Sequence, residues 1–429
     1  MSLAKKSSAF HSSSEEHLNY LVTADSFLPH SGGSRVYYAN LYESLLAQFP
    51  DTVTILTKKI AGWQEFDQRV CTERFRVKRA FKPLPSWRYA QLPKFVPPFL
   101  QAGLQMLARK YDSLHCGDLF PQALNGVILR ALSGIPLLVF CHGDEISQTD
   151  NRRLQPKVRD FIYRNADALI AANQFAKEGL LRIGIPEERI HKVTPGVDIK
   201  RFQPLAPSLE LIDRYRLRGK KVLLTVARLV PRKGHQVVIR ALPKVLQEIP
   251  DLHYLIVGAG AERNNLAKIV RELNLDDAVT FAGDVPHERI SEFYNLCDVF
   301  IMANRLEPEG DVESFGMVFT EANAVGKPVI GGKSGGASEA ILEGVTGYLV
   351  DPNSTEHVAD RLLKLFRSAD LRKTMGSAGL SRVMTEFNWA NRGRQLREIC
   401  AELSERAVVC PPGNNQPAAG RDSSGVDIA

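Results

Sequence analysis

No apolar run in this chain approaches the roughly 20 residues that a membrane-spanning helix needs. Residues Met1 to Glu16 are polar and Ser-rich, without the apolar stretch of a secretory signal, and are expected to form a disordered leader. The six cysteines make no C-x-x-C pair. That argues against a zinc site or a disulfide framework and fits a reducing, cytoplasmic setting. No D-x-D triplet occurs, the nearest being Asp311-Val-Glu313, so no metal is expected. The absence of G-x-G-x-x-G leaves a nicotinamide-binding fingerprint poorly matched. With no RNP, KH or zinc signature either, nucleic acid is not an expected partner.

What remains is an ordinary globular composition, 44% hydrophobic and 24% charged, with a formal charge of +7. An excess of that sign bears on partners rather than fold, and a phosphorylated ligand or an anionic membrane surface would suit it. The segment 74–95 concentrates basic and aromatic residues, among them Arg74, Arg76, Lys78, Trp87, Arg88 and Tyr89. It fits either contact with an anionic leaflet or a solvated connection between α/β elements.

Short β-rich runs alternate with helix-length amphipathic segments through the whole ordered region, which implies parallel sheets covered by helices on both faces. In the first half the expected strands are Asn19–Ala24, Thr52–Leu56, Ser113–Cys116, Pro136–His142 and Asp167–Ala172. In the second they are Val222–Ala227, His253–Val257, Val279–Phe281, Asp298–Met302, Pro328–Ile330 and Tyr348–Val350. Pro, Gly and charged residues cluster near Pro195 to Pro207 and mark a seam. The fold class is α/β: two doubly wound, Rossmann-like domains, 17–200 and 201–388, facing across a cleft. The tail 411–429, rich in Pro, Gly, Ser and Asn, is expected to be disordered.

The stretch Glu313-Ser-Phe-Gly-Met-Val-Phe-Thr-Glu321 places two carboxylates eight positions apart around an apolar run. A helix starting near Phe315 would separate them by about 12 Å. Paired acids working on one glycosidic bond need roughly 5 to 9.5 Å. The spacing suits an extended ligand held at both ends with an anion at the helix start, the shape of a nucleotide diphosphate sugar. It equally fits a surface loop followed by an amphipathic helix. Upstream, Arg228 closes a strand run and Lys233 follows five residues later, a pair that could grip phosphate or form a basic turn. Gly32 and Gly33 precede a helix expected over Val36–Phe49, and Gly258 and Gly260 mark a second strand end. His142 ends a strand just before Gly143; a lone histidine there is ordinarily structural.

Taken in order with Pro195-Gly-Val-Asp198, Ser334-Gly-Gly336, Glu339 and Gly344-Val-Thr-Gly347, these residues resemble the GT4-type retaining glycosyltransferases, whose fold is called GT-B. The resemblance runs from about Leu21 to Trp389. It implies a nucleotide diphosphate sugar as co-substrate, a glycan or lipid-linked acceptor, and a final helix, 389–410, crossing back onto the first domain. It also implies a catalytic group of His142, Glu313, Arg228 and Lys233. His142 would position the transferred sugar and Glu313 would hold its hydroxyls. The amides of Phe315, Gly316 and Met317 would support sugar and phosphate, and Glu321 would bind the ribose. Gly32, Gly33, Gly258 and Gly260 would flank the donor. With no D-x-D, protein cations would carry the departing diphosphate, so the reaction would need no metal. GDP-mannose is placed ahead of a UDP-hexose because the acidic loop Glu307–Asp311 is similar to that of mannosyltransferases. The rivals are a sugar-nucleotide epimerase of the same build and a non-catalytic binding module. The setting would be cytoplasmic, or peripheral on the inner face of the membrane.

Overall fold

The structure, a computed structural model, describes residues 17–29, 32–80, 92–147, 155–308 and 310–409. The expected leader and tail, and the middle of segment 74–95, lie outside them. Two parallel sheets form, each wound outward from its first strand. The first contains β1 (Asn19–Thr23), β2 (Thr52–Lys58), β3 (Phe75–Ala80), β4 (Ser113–Cys116), β5 (Leu137–Cys141), β6 (Ala168–Ala171) and β7 (Ile190–Lys192), in the order β3-β2-β1-β4-β5-β6-β7. The second contains β8 (Lys221–Val226), β9 (Leu252–Val257), β10 (Val279–Gly283), β11 (Val299–Met302), β12 (Val329–Gly332) and β13 (Gly347–Val350), in the order β10-β9-β8-β11-β12-β13. Central strands such as Leu137-Leu-Val-Phe-Cys141 are buried along their whole length, as a strand covered on both faces must be. The expected pair of doubly wound domains is therefore what the chain builds.

Two edge strands go beyond the sequence expectation. β3 takes up part of the basic segment 74–95: Phe75 and Val77 turn inward, while Arg79 is buried in an ion pair with Asp67 at 2.7 Å. β7 is only three residues long. The first helix runs Gly33–Leu46, starting and ending three residues earlier than expected, and the helix after Glu313 starts at Met317 rather than Phe315.

The final helix, Trp389–Val409, packs on the Gly33–Leu46 helix, with Trp389, Leu396, Ile399 and Leu403 in the first domain's core. The approach is close: a Cβ at Gly393 would lie 2.7 Å from the Leu45 backbone nitrogen, so only glycine fits. The backbone reaches this helix beside the earlier passage between domains, where Val197 N–H donates to the Phe387 carbonyl at 2.8 Å. Asp51, fully buried, accepts from the Leu18 amide (3.0 Å) and the Tyr20 hydroxyl (2.7 Å) and faces buried Arg397 of the final helix at 3.4 Å.

Alongside, His115 of β4 bonds the Tyr42 hydroxyl through Nδ1 (2.6 Å) and Ser113 Oγ through Nε2 (2.8 Å). Burial pushes its imidazole from the ordinary 6.5 down to about 3. Because the folded pKa is depressed, His115 favours folding above 6.5, and that contribution is lost as pH falls towards 3. His235, lowered to about 4 by burial and the Lys233 charge, acts in the same sense. Thermal melts should show stability falling below about pH 6.5, with His115→Gln giving a shallower slope. An unchanged slope would exclude His115 as a source.

Candidate active site

Each sheet reverses its winding direction beside its first strand, and chain segments leaving strands at such a switch point open a crevice. In the second domain those segments follow β8 and β11. The β8 segment carries Arg228 and turns at Pro231–Lys233, where Gly234 adopts φ 71°. A Cβ at Gly234 would sit 1.9 Å from the Ala303 carbonyl, so glycine alone lets the turn lie against the end of β11. This brings the Lys233 ammonium to 2.5 Å from Glu313 Oε2. Arg232 Nη1 adds a second contact to the same oxygen at 3.1 Å and donates to the Val312 carbonyl at 2.9 Å, while its Nε lies 3.1 Å from Asp311.

Burial alone would raise the Glu313 carboxyl pKa, but the charges of Lys233 and Arg232 outweigh it and hold it below the ordinary range. Burial lowers the Lys233 ammonium, with Glu313 opposing. Arg228 is exposed but close enough for its charge to act on both groups. The sequence expectation named Arg228 and Lys233 and missed Arg232, which the path of the turn directs at Glu313. The acidic loop is folded: Glu307 pairs with Arg305 at 2.6 Å, and its amide donates to the Asp311 carbonyl.

Glu313 lies on the loop and Glu321 on the helix Met317–Ala324, whose entry is Gly316 at φ 75°. Phe315 is buried against Phe387, so its backbone rather than its ring is available to a ligand. Gly335 and Gly336 admit the 313–314 backbone, since Cβ atoms there would come within 2.1 Å of the Glu313 carbonyl and 1.8 Å of the Ser314 carbonyl. Gly258 and Gly260 have a comparable packing reason: their Cβ atoms would strike the carbonyls of Ala227 and Leu229 at 2.0 and 2.3 Å.

The first domain faces this loop. Gly33 opens its helix opposite Met317, and a Cβ on Gly33 would lie 3.8 Å from Met317 Cε, so two helix starts meet across the cleft. His142 follows β5, its Nε2 2.5 Å from the Tyr38 hydroxyl. Burial raises the Tyr38 pKa well above the ordinary value, so its oxygen keeps the proton. Tyr38 also bonds the Gly117 carbonyl, which can only accept; the hydroxyl proton goes there and His142 Nε2 is the donor. Asn173, fully buried, spans the domains by donating to the His142 carbonyl (2.9 Å) and the Ser314 carbonyl (2.7 Å). Glu339 adds a second bridge, accepting from the Gln174 amide and from Lys192, both at 2.6 Å. Tyr38 and Asn173 carried no sequence signal, being one of three tyrosines on its helix and a polar residue before a helix.

Glu321 faces an interdomain cavity of about 300 Å³ lined also by Asn40, Glu43, Asp198, Arg201 and Met317. Its Oε2 accepts from the Tyr294 hydroxyl at 2.7 Å. Burial raises its carboxyl pKa, with Tyr294 and Arg201 opposing. A raised folded pKa favours folding below the unfolded value, and the benefit is lost as pH rises through the folded one. At neutral pH the ionised carboxylate is thus a net cost. Glu321→Gln should melt higher than the parent at neutral pH but not near about pH 4, and should bind nucleotide more weakly. Equal melting at neutral pH would contradict this.

The family described as "Glycosyltransferase Family 4" matches residues 31–201, and "Glycosyl transferases group 1" matches 210–382. A GDP-mannose-dependent alpha-(1-6)-phosphatidylinositol monomannoside mannosyltransferase of Mycobacterium tuberculosis is 30% identical over 386 residues, 88% of this chain and 97% of the relative. The protein of that name from Mycolicibacterium smegmatis is 29% identical over 392 residues, 90% and 98% of the two chains. Among solved structures, Anabaena HepE in complex with UDP and glucose superposes with a TM-score of 0.75 at 22% identity, covering 90% of this chain and 100% of that one. Sucrose-phosphate synthase from Thermosynechococcus elongatus gives 0.73 at 24%, covering 91% and 100%. At such identities these two speak for the fold alone. With both halves matched in order, and with Lys233 set against Glu313 at the switch point of the second sheet, the chain belongs to glycosyltransferase family 4, as a hexosyltransferase of the GT-B fold.

Proposed function

We propose that this enzyme moves mannose from GDP-mannose to a hydroxyl of a lipid-linked glycan, with retention at the anomeric carbon and without a metal ion. The observation that carries the reading is the cationic group of Lys233, Arg232 and Arg228 around Glu313, opposite the start of the Gly33–Leu46 helix. Fixed cations and helix-end amides there would take up the charge of the departing diphosphate. In this reading residues 17–200 form the acceptor side and 201–388 the donor side. Glu313 holds sugar hydroxyls, Glu321 the ribose, and His142 positions the sugar. The mannosyl donor and lipid acceptor are supported by the names of the mycobacterial relatives.

The test is incubation with GDP-mannose or UDP-glucose and a phosphatidylinositol mannoside, with and without EDTA, followed by mass spectrometry and NMR. The reading expects one added hexose from GDP-mannose, an α-linkage, and no effect of chelator. A second reading is a UDP-hexose donor, which transfer from UDP-glucose alone would select. Free nucleotide formed with no hexose on any acceptor would point instead to an epimerase.

A further inference from the structure

The helix Leu92–Ala108 presents an unusual outer face. Its inner side, through Phe99, Ala102 and Met106, packs into the first domain's core. Its outer side is also apolar: Val96, Leu100, Leu104 (63% exposed) and Leu107 (86% exposed) recur along one stripe. At helical rise this stripe is about 16 Å long. The adjoining helix Leu124–Ser133, which meets it through Leu129 near Gly103, carries two further exposed apolar residues, Ile128 and Leu132, the latter 75% exposed. Single exposed leucines are ordinary, whereas a contiguous field marks an interaction surface. From Phe95 to Ala108 no charged residue interrupts it.

Charge indicates what covers this face. From Arg74 to Tyr111 the chain carries nine Lys or Arg and no carboxylate, leaving 46 of the 55 cations against all 48 carboxylates elsewhere. The whole positive excess of the protein is therefore concentrated in the segment that contains the apolar helix. Exposed Arg109 and Lys110 end that helix, and Lys78 of β3 bonds its Gln105 at 2.7 Å. A partner that is apolar below and anionic above is a lipid bilayer with acidic headgroups. Among the described residues no helix is long and apolar enough to cross a membrane, so the contact would be interfacial.

We propose that the outer face of the Leu92–Ala108 helix, with Ile128 and Leu132, docks the enzyme onto an anionic lipid surface. This displaces the expected contact from strand residues such as Arg79, which Asp67 neutralises, to the next helix. It deepens the lipid-acceptor reading and rests on it only for its purpose. Phe95, at the start of the stripe, meets Phe120 at 6.0 Å between rings, in the helical turn Leu119–Ala123 just after Gly117. Gly117 holds Tyr38, and Tyr38 holds His142. The apolar face thus adjoins the cleft, where a headgroup leaving the bilayer would enter.

The experiment is flotation of the full chain with extruded vesicles of phosphatidylcholine, alone or mixed with phosphatidylglycerol. Size-exclusion chromatography without lipid runs alongside. The parent should float with the anionic vesicles at least about tenfold more than with neutral ones, and salt should release it. Leu104→Glu/Leu107→Glu and Arg109→Glu/Lys110→Glu should each abolish flotation while leaving donor hydrolysis in lipid-free solution unchanged. Equal flotation of parent and variants, or no flotation of the parent, would overturn the proposal. So would a dimer that Leu104→Glu converts to monomer, because a second copy would then own the face. Loss of donor hydrolysis in the parent would count against the transferase reading and leave the flotation result standing.

Discussion

Lys233→Met is expected to lower kcat by about 10²–10³-fold, the cost of removing one preorganised donor from a site of developing charge. The ammonium lies 2.5 Å from Glu313 Oε2, where both side chains are about nine-tenths buried. The substitution also leaves Glu313 facing Arg232 with its other cation gone, and breaking a buried pair costs about 3–5 kcal/mol. Both effects therefore accompany one change, and a third protein separates them. Lys233→Met/Glu313→Gln removes the stranded charge, so its melting temperature should recover most of the loss while its turnover stays low. Turnover near the parent's in Lys233→Met, measured as nucleotide release, would remove this residue from the site. A double variant no more stable than the single would show that the pair does not act as a unit.

Asp51→Ala should cause the largest loss of stability away from the site. The carboxylate is inaccessible to solvent, and its removal takes away the anion 3.4 Å from the buried Arg397 guanidinium and the acceptor of the Tyr20 hydroxyl. At about 3–5 kcal/mol for a broken buried pair, the first domain should melt roughly 6–20 °C lower. Differential scanning calorimetry can resolve this as movement of one transition, because the second domain's core shares none of these residues. Replacing both partners by apolar residues, Asp51→Leu/Arg397→Met, should restore part of the loss. A single variant melting with the parent would mean that the Asp51–Arg397 pair does not help to hold the final helix.

The second sheet was legible strand by strand because its runs are continuous and apolar: Val222 to Val226 and His253 to Val257 admit little else. β3 was not, since Arg-Phe-Arg-Val-Lys-Arg alternates only as far as Lys78, puts Arg79 on the inward face and leaves its polar face entirely cationic. Its place at a sheet edge, with Asp67 and Gln105 within reach, is tertiary information. β7 is too short for periodicity to register. The helix expected at Phe315 starts at Met317 because Phe315 is drawn into the core and Gly316 takes the left-handed turn. In the site, spacing singled out Glu313 with Glu321 and, separately, Arg228 with Lys233, and only the family resemblance joined the two sets. Spacing could not choose between Arg228 and Arg232 as the nearer cation, because three or four residues of turn decide which side chain points inward.

The close pairing of the two connections at Val197 and Phe387 restricts how the enzyme can move. A single linker would let one half swivel and drift relative to the other. Two connections bonded side by side leave bending about their shared line as the cheap motion. Any such bending that parts Gly33 from Met317 would first have to break the bonds that tie the halves together, Asn173 to the Ser314 carbonyl and Glu339 to Gln174 and Lys192.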